Sequence, residues 1–184
     1  MFPRTIIFLI IFLAVIFQVS FFPNFFGEKT IPDAVLLIVM FWSARKGFEM
    51  TLFRTVAAGF MLDLAIFGVP GMNMLSFALV AFGIGFLSKR FLVSDRAWRF
   101  FIILCIISAG TIANMAFLDI FSRVYGWANA DEAPFFQVTL ASYARPWVIL
   151  SNLILFALIY YPMMRLEKSF DFYEARMSNQ RKLF

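Results

Sequence analysis

Residues Ile31 to Phe91 have the sequence IPDAVLLIVMFWSARKGFEMTLFRTVAAGFMLDLAIFGVPGMNMLSFALVAFGIGFLSKRF. Short apolar runs follow one another along this segment, and Pro70-Gly71 separates the last two. One acidic residue, Asp63, lies where hydrocarbon side chains are expected. An acid at membrane depth is costly, so it marks a functional site or a contact between helices. We therefore expect the rest of the chain to be organised around Asp63.

The composition places this chain among integral membrane proteins. Its 184 residues are 62% apolar and only 15% charged, whereas soluble domains are about 45 to 50% apolar and about 25% charged. The apolar runs are long enough for helices, and they lack the alternating pattern of a β-barrel. We predict an all-α integral membrane protein of the bacterial inner membrane.

The residue types present exclude most catalytic chemistry. The chain has no histidine, and Cys105 is its single cysteine. Imidazole acid-base catalysis, Ser-His and Cys-His nucleophiles, intrachain disulfides and most zinc or haem sites are therefore excluded. We expect no enzyme activity, no cofactor and no metal. The net charge of +5 is not collected on one basic face, so nucleic-acid binding is not expected either.

Six apolar runs predict six transmembrane helices. The first is expected to remain as a helix rather than to be cleaved as a signal peptide, because its apolar run is too long. The membrane domain is predicted to cover residues 1–164. A tail of residues 165–184 follows, with an apolar stripe at helical spacing that is typical of an amphipathic helix. The predicted spans are about Thr5–Phe22, Pro32–Trp42, Glu49–Phe67, Met72–Leu87, Phe100–Leu118 and Pro146–Pro162.

Basic residues predict the orientation of these spans. Most of the sixteen lysines and arginines lie at the N-terminus, after the second span, after the fourth span and in the tail. Lys29, Arg123 and Arg145 lie on the opposite side. Under the positive-inside rule both termini are cytoplasmic. The long connection up to Tyr143 is rich in aromatic residues and is expected at the outer membrane interface.

A cluster of small and polar residues is predicted around Asp63. Thr55, Gly59 and Asp63 recur every four residues on the third span. If a tight turn at Pro70-Gly71 makes an antiparallel hairpin, Asp63 lies level with polar residues of the fourth span. The cluster could be a packing contact or could bind a ligand or partner. Its predicted members are Asp33, Gly59, Asp63, Asn73 and Ser76, with Asn114 of the fifth span and the Ser151-Asn152 pair of the sixth as further polar residues in apolar runs.

Two charged residues of this region have ordinary alternative interpretations. Asp33 precedes an apolar run after a proline, which is typical of a helix N-cap, although it could also be a ligand in a recess. Arg54 lies nine residues before Asp63 on the opposite face of the same helix. We expect its side chain to extend to the inner surface instead of pairing with Asp63.

The basic connections form a predicted cytoplasmic docking surface. The connection after the fourth span also carries apolar residues, so we expect it to lie in the interface and to contact anionic lipid. Docking of a cytoplasmic protein is the alternative. The residues concerned are Arg45, Lys46, Lys89, Arg90, Arg96 and Arg99.

Several motifs together resemble a known family. They are Pro32-Asp33, Trp42, Arg45-Lys46-Gly47, Gly59-Phe60-Met61-Leu62-Asp63-Leu64, Gly68, Gly71, Lys89-Arg90 and Tyr161-Pro162. This pattern is similar to that of bacterial MreD, the rod shape-determining membrane protein. Arg54 departs from the pattern, since a small or apolar residue is expected there. The resemblance implies a fold similar to the substrate-binding subunits of energy-coupling-factor transporters.

The resemblance leads to two functional hypotheses. The first is a non-enzymatic scaffold of the cell-elongation machinery, which links MreC, the MreB filament and the RodA/class B transpeptidase pair that synthesises peptidoglycan. The second is a small-molecule-binding subunit of a membrane transporter, with Asp33, Asp63, Asn73 and Asn114 lining a pocket in the outer half. Such pockets place a few polar groups in an apolar cavity.

Overall fold

The computed structural model describes residues 2–26, 31–66, 69–91, 96–128 and 146–181, and these residues form six helices and no strand. The first helix, α1, is continuous through Phe2–Ile16, a π-helical segment at Phe17–Phe21 and a last turn at Phe22–Phe26. The remaining helices are α2 (Ala34–Lys46), α3 (Phe48–Ala65), α4 (Met72–Phe91), α5 (Arg96–Ala128) and α6 (Pro146–Arg181).

Four of these helices are long and apolar enough to cross a membrane. Their candidate spans are Thr5–Phe25, Met72–Arg90, Ile102–Phe121 and Pro146–Ser169. Length and apolar composition thus support the predicted membrane crossing for α1, α4, α5 and α6. By the same measure α2 and α3 fall short: α2 has 13 residues, which is about 20 Å of helix against a core of about 30 Å. In α3 the charged residues Glu49, Arg54 and Asp63 interrupt the apolar sequence.

Helix α2 lies at the centre of the bundle. Every residue from Ala34 to Ser43 is buried, and α2 packs against α1, α3, α4, α5 and α6. A helix that is apolar on all sides has no face to present to water, and here neighbouring helices rather than lipid cover α2. The Ser43 hydroxyl adds a polar contact by donating a hydrogen bond to the Ala81 carbonyl of α4.

A single residue connects α2 to α3. Gly47 has a φ of +81°, a left-handed conformation that glycine adopts without steric cost. Its N–H donates to the Ser43 carbonyl at 3.0 Å and closes the end of α2. The short link makes α3 run back along α2, and the turn after α3 reverses the chain again. The N-termini of α2 and α4 therefore lie at the same end of the bundle, which we call the hairpin end; the opposite end, with Arg45, Lys46, Lys89 and Arg90, is the basic end.

Helices α5 and α6 are longer than their predicted spans. The first part of the predicted interfacial connection, up to Ala128, is a continuation of α5, and residues 129–145 of that connection lie outside the described residues. Helix α6 contains Pro162 and continues through Met164-Arg165 to Arg181. The predicted boundary between a membrane domain and a tail thus falls inside one helix, and the boundary stays a prediction, as does the cytoplasmic location of the termini.

Candidate functional site: a buried polar joint between helices

The Asp63 carboxylate caps the N-terminus of the neighbouring helix α4. Its Oδ2 atom accepts a hydrogen bond from the Gly71 N–H at 2.8 Å and a longer one from the Met74 N–H at 3.4 Å. Its Oδ1 atom accepts from the Asn73 N–H at 3.0 Å and from the Asn73 side-chain Nδ2 at 2.8 Å. The first N–H groups of a helix have no partner within the helix, and a negative charge is favourable there. Asp63 is therefore an N-cap supplied by another helix.

The turn between α3 and α4 brings these donors to Asp63. The Met72 N–H donates to the Val69 carbonyl at 3.3 Å, which closes a turn with Pro70 and Gly71 at its centre. Gly71 has a φ of +97°, as the third position of a type II turn requires. The predicted turn at Pro70-Gly71 and the antiparallel hairpin are thus present in the structure.

Gly59 allows α3 and α4 to approach closely at this joint. A Cβ atom added at Gly59 would lie 2.5 Å from the Met74 Cα and 2.7 Å from the Met74 nitrogen. Backbone atoms cannot move aside as a flexible side chain can, so any larger residue at this position would separate the two helices. The stripe of Thr55, Gly59 and Asp63 is buried along its length. The small residue one turn before the carboxylate lets Asp63 reach the end of α4.

Ser76 belongs to a different contact. Its hydroxyl donates to the Asn114 Oδ1 atom at 2.6 Å and lies 3.3 Å from the Asn114 carbonyl. Both residues are buried, and they join α4 to α5. The structure therefore places Ser76 on the same helix as Asn73 but bonded away from Asp63.

Asp33 caps the central helix α2. Its Oδ1 atom accepts a hydrogen bond from the Leu36 N–H at 2.9 Å, which is the N-cap geometry that the sequence predicts. The Asp33 N–H donates to the Asn152 Oδ1 atom of α6 at 2.8 Å. The Asn152 side-chain amide also lies 3.3 Å from the Thr111 hydroxyl of α5. Asn152 thus holds α6 to both α2 and α5.

A second acceptor for α2 comes from α1. The Gln18 Oε1 atom accepts from the Val35 N–H at 3.0 Å, and Gln18 lies in the π-helical segment Phe17–Phe21. Single π turns occur often at functional positions of helices, and here the segment contains the one amide of α1 that reaches the end of α2. Gln18 and Thr111 were not among the predicted site residues. Other polar side chains lie nearby in the same apolar runs, Ser20 beside Gln18 and Ser108 beside Thr111, so nothing in the sequence distinguished these two residues.

The predicted cluster is therefore divided into separate contacts at one end of the bundle. Asp63 and Asn73 join α3 to α4, Ser76 joins α4 to α5, and Asp33 joins α2 to α6. In each contact the polar atoms bond to protein groups, and two of them satisfy the buried N-terminus of a helix. Without water, such an end is costly unless side chains supply acceptors. This chemistry suits packing contacts that hold helices at fixed positions.

At the basic end, residues predicted to dock partners form an ion pair within the chain. Glu167 of α6 is buried. Its carboxylate pairs with the Arg45 guanidinium, and the Lys46 Nζ atom lies 3.9 Å from the other carboxylate oxygen. Arg45 also lies over the Phe41 ring, with its Cζ atom 5.9 Å from the ring centroid. These contacts fix the basic end of α2 against α6.

The remaining predicted docking residues lie near this end. Lys89 and Arg90 are exposed in the last turn of α4. Helix α5 begins at Arg96, so residues 96 and 99 belong to its first turn, while residues 92–95 lie outside the described part of the chain. Binding of a partner to these six basic residues stays a prediction.

Arg54 contacts an aromatic ring of the central helix. Its Cζ atom lies 5.4 Å from the centroid of the Trp42 ring, within the range of a cation–π interaction. The described partners of Asp63 belong to the turn and to α4, so Arg54 and Asp63 act in separate contacts, as predicted.

A cavity of about 290 Å³ lies toward the basic end between α2, α5 and α6. Its walls include Phe41, Ala44 and Arg45 of α2, Ile103 of α5 and Tyr160 of α6. The polar residues of the hairpin end do not line this cavity. It therefore adds nothing to the hypothesis of an outer pocket formed by Asp33, Asp63, Asn73 and Asn114.

Comparison with known proteins gives one match. The family model described as rod shape-determining protein MreD matches residues 2–170. The searches of curated proteins and of solved structures returned no match. The similarity in fold to transporter substrate-binding subunits stays a prediction.

Proposed function

Because the chain belongs to the MreD family of rod shape-determining membrane proteins, we propose that it is a non-enzymatic scaffold of the cell-elongation machinery in the bacterial inner membrane. In this role it links MreC, the MreB filament and the RodA/class B transpeptidase pair. The family match over residues 2–170 carries the proposal. Membrane association follows from the family and from the apolar helices.

The use of polar groups supports a scaffold. The Asp63 carboxylate accepts hydrogen bonds from three residues of the turn and α4. Asn152 joins three helices. Groups that are bonded in this way stabilise a fixed arrangement of helices. A protein that positions others needs such an arrangement, because a binding surface that keeps its shape loses less entropy on association.

The outer faces of the helices offer surfaces for other membrane proteins. Leu9 and Phe12 of α1 are more than half exposed, and so are Trp147 and Leu158 of α6. In a bilayer these faces contact lipid or the helices of neighbours, and association there depends on close packing. Helix α6 continues beyond its candidate span, from Ser169 to Arg181, which provides a segment outside the membrane for contact with a filament.

Depletion and complementation in a rod-shaped bacterium test the proposal. We expect depletion of the chain to give rounded cells in which wall-synthesis complexes stop their directed movement, and the wild-type chain to restore both. Gly59→Leu, which separates α3 from α4, should fail to restore rods. Gly83→Ala is the matched control, since an added Cβ at Gly83 meets no atom within 4 Å. Depleted cells that stay rod-shaped with normal movement would refute the proposal.

A further inference from the structure

The cavity at the basic end has an apolar interior and a charged rim. It lies between the end of α2, the start of the α5 span and the second half of the α6 span, and so falls at membrane depth near one surface. Ile107 and Phe156 line its interior, while Arg45 lies at the end where α2 stops. Such a cavity suits a ligand that is apolar along its length and charged at one end.

The described side chains at the rim include more cations than carboxylates. Among them, Glu167 faces two cations, Arg45 and Lys46. Lys89 lies against Gly47, and Gly47 follows Lys46 in the chain. The Lys89 Cε atom would be 3.4 Å from a Cβ atom added at Gly47. The described contacts of Arg45 use its Nε and Nη1 atoms, and a guanidinium has five N–H donors. Further donors of this side chain, which is 38% exposed, can bind a phosphate oxygen.

The lining of the cavity favours an anionic amphiphile. Most of the lining side chains are apolar, and Arg45 is the charged residue among them. An acyl chain follows an irregular apolar channel, and an anionic head group is attracted to basic residues at its end. We propose that this cavity binds one acyl chain of an anionic phospholipid, whose phosphate pairs with Arg45 and Lys46. This site differs from the predicted lipid contact in the connection after α4, and it does not depend on the proposed function.

Lipid titration of the purified full chain tests the proposal. Native mass spectrometry from mild detergent measures binding of phosphatidylglycerol and of phosphatidylcholine with the same acyl chains. We expect phosphatidylglycerol to bind about fivefold more tightly, the effect of one basic residue at an anionic lipid surface. Equal affinity for the two lipids would overturn the proposal.

Two variants separate the charge from the cavity. Ala44→Phe fills the cavity and leaves the ion pair intact, and Lys46→Gln removes one cation of the rim. Each should weaken binding of phosphatidylglycerol about fivefold, whereas Lys168→Gln, an exposed cation next in the chain to Glu167, should change it less than twofold. Unchanged binding by Ala44→Phe would show that lipid binds elsewhere on the surface and would refute the site.

A photoreactive phospholipid gives an independent result. Phosphatidylglycerol with a diazirine at the end of one acyl chain should cross-link to the segments around Ile107 and Phe156. Cross-links confined to the outer faces of α1 or α4 would refute the proposal even if the affinities follow the expected order.

Discussion

Replacement of Asp63 by leucine is expected to destabilise the bundle strongly. The substitution leaves three close donors without their acceptor: the Gly71 N–H, the Asn73 N–H and the Asn73 side-chain amide, all now within 3.0 Å of the carboxylate. Hydrogen bonds between membrane helices contribute about 0.6 kcal/mol each on average, and bonds to charged groups about 1.5 to 3 kcal/mol. Three bonds therefore give a loss of about 2 to 9 kcal/mol in the free energy of unfolding.

Even the lower limit is measurable, since 2 kcal/mol changes the ratio of folded to unfolded protein about thirtyfold. Unfolding by SDS in mixed micelles, followed by tryptophan fluorescence, reports this free energy. Asp63→Asn keeps one acceptor oxygen and should lose less. Arg54→Leu removes a cation–π contact worth about 0.5 to 2 kcal/mol and serves as the charged control in the same helix. If Asp63→Leu unfolds within about 0.5 kcal/mol of the wild type, the cap does not hold α4 and the reasoning is wrong.

Three further predictions use the same assay. Gly59→Ala should lower the free energy of unfolding by about 1 to 3 kcal/mol, because its Cβ meets the Met74 backbone. Gly83→Ala should leave that free energy unchanged or raise it by up to about 1 kcal/mol. Equal effects of the two substitutions would show that close approach of α3 and α4 is not required. Glu167→Gln should lower the free energy of unfolding by about 1 to 3 kcal/mol, which is less than for a fully buried ion pair because Arg45 is partly exposed. Substitution of its exposed neighbour, Lys168→Gln, should have little effect. A similar loss for both variants would contradict the ion pair. Asn152→Leu should cost about 1 to 3 kcal/mol by removing the partner of the Asp33 N–H, and an unchanged midpoint would exclude Asn152 as the link to α2.

The hairpin was predictable because its signals are local. Pro70-Gly71 is a turn pair, and the spacing of Gly59 and Asp63 defines one face of a helix. An antiparallel hairpin with so short a turn allows few registers, so the contact between Asp63 and Asn73 follows from the turn. The cap at Asp33 is local for the same reason.

The other contacts depend on how separate helices rotate about their axes. Ser76 bonds to Asn114, and Asn152 bonds to Asp33 and Thr111, but nothing in the spacing of these residues specifies which helix each one faces. Glu167 lies in a charged segment with two other acids, Asp171 and Glu174, and no pattern in the sequence marks Glu167 as a buried residue. The uninterrupted apolar run of α2 does not by itself predict its central position, because α1 is also apolar along its length and yet only 17% of its candidate span is buried.

The central claim is that polar contacts between helices hold the surfaces on which partners assemble. Co-purification in mild detergent, with the wild-type chain and Gly59→Leu adjusted to equal amounts in the membrane, tests it most directly. The account predicts that the wild type recovers proteins of the elongation machinery and that Gly59→Leu recovers them at a small fraction of that yield, with Gly83→Ala unchanged. Recovery of the same partners in the same ratio by Gly59→Leu, once its unfolding midpoint shows the hairpin to be disrupted, would contradict it.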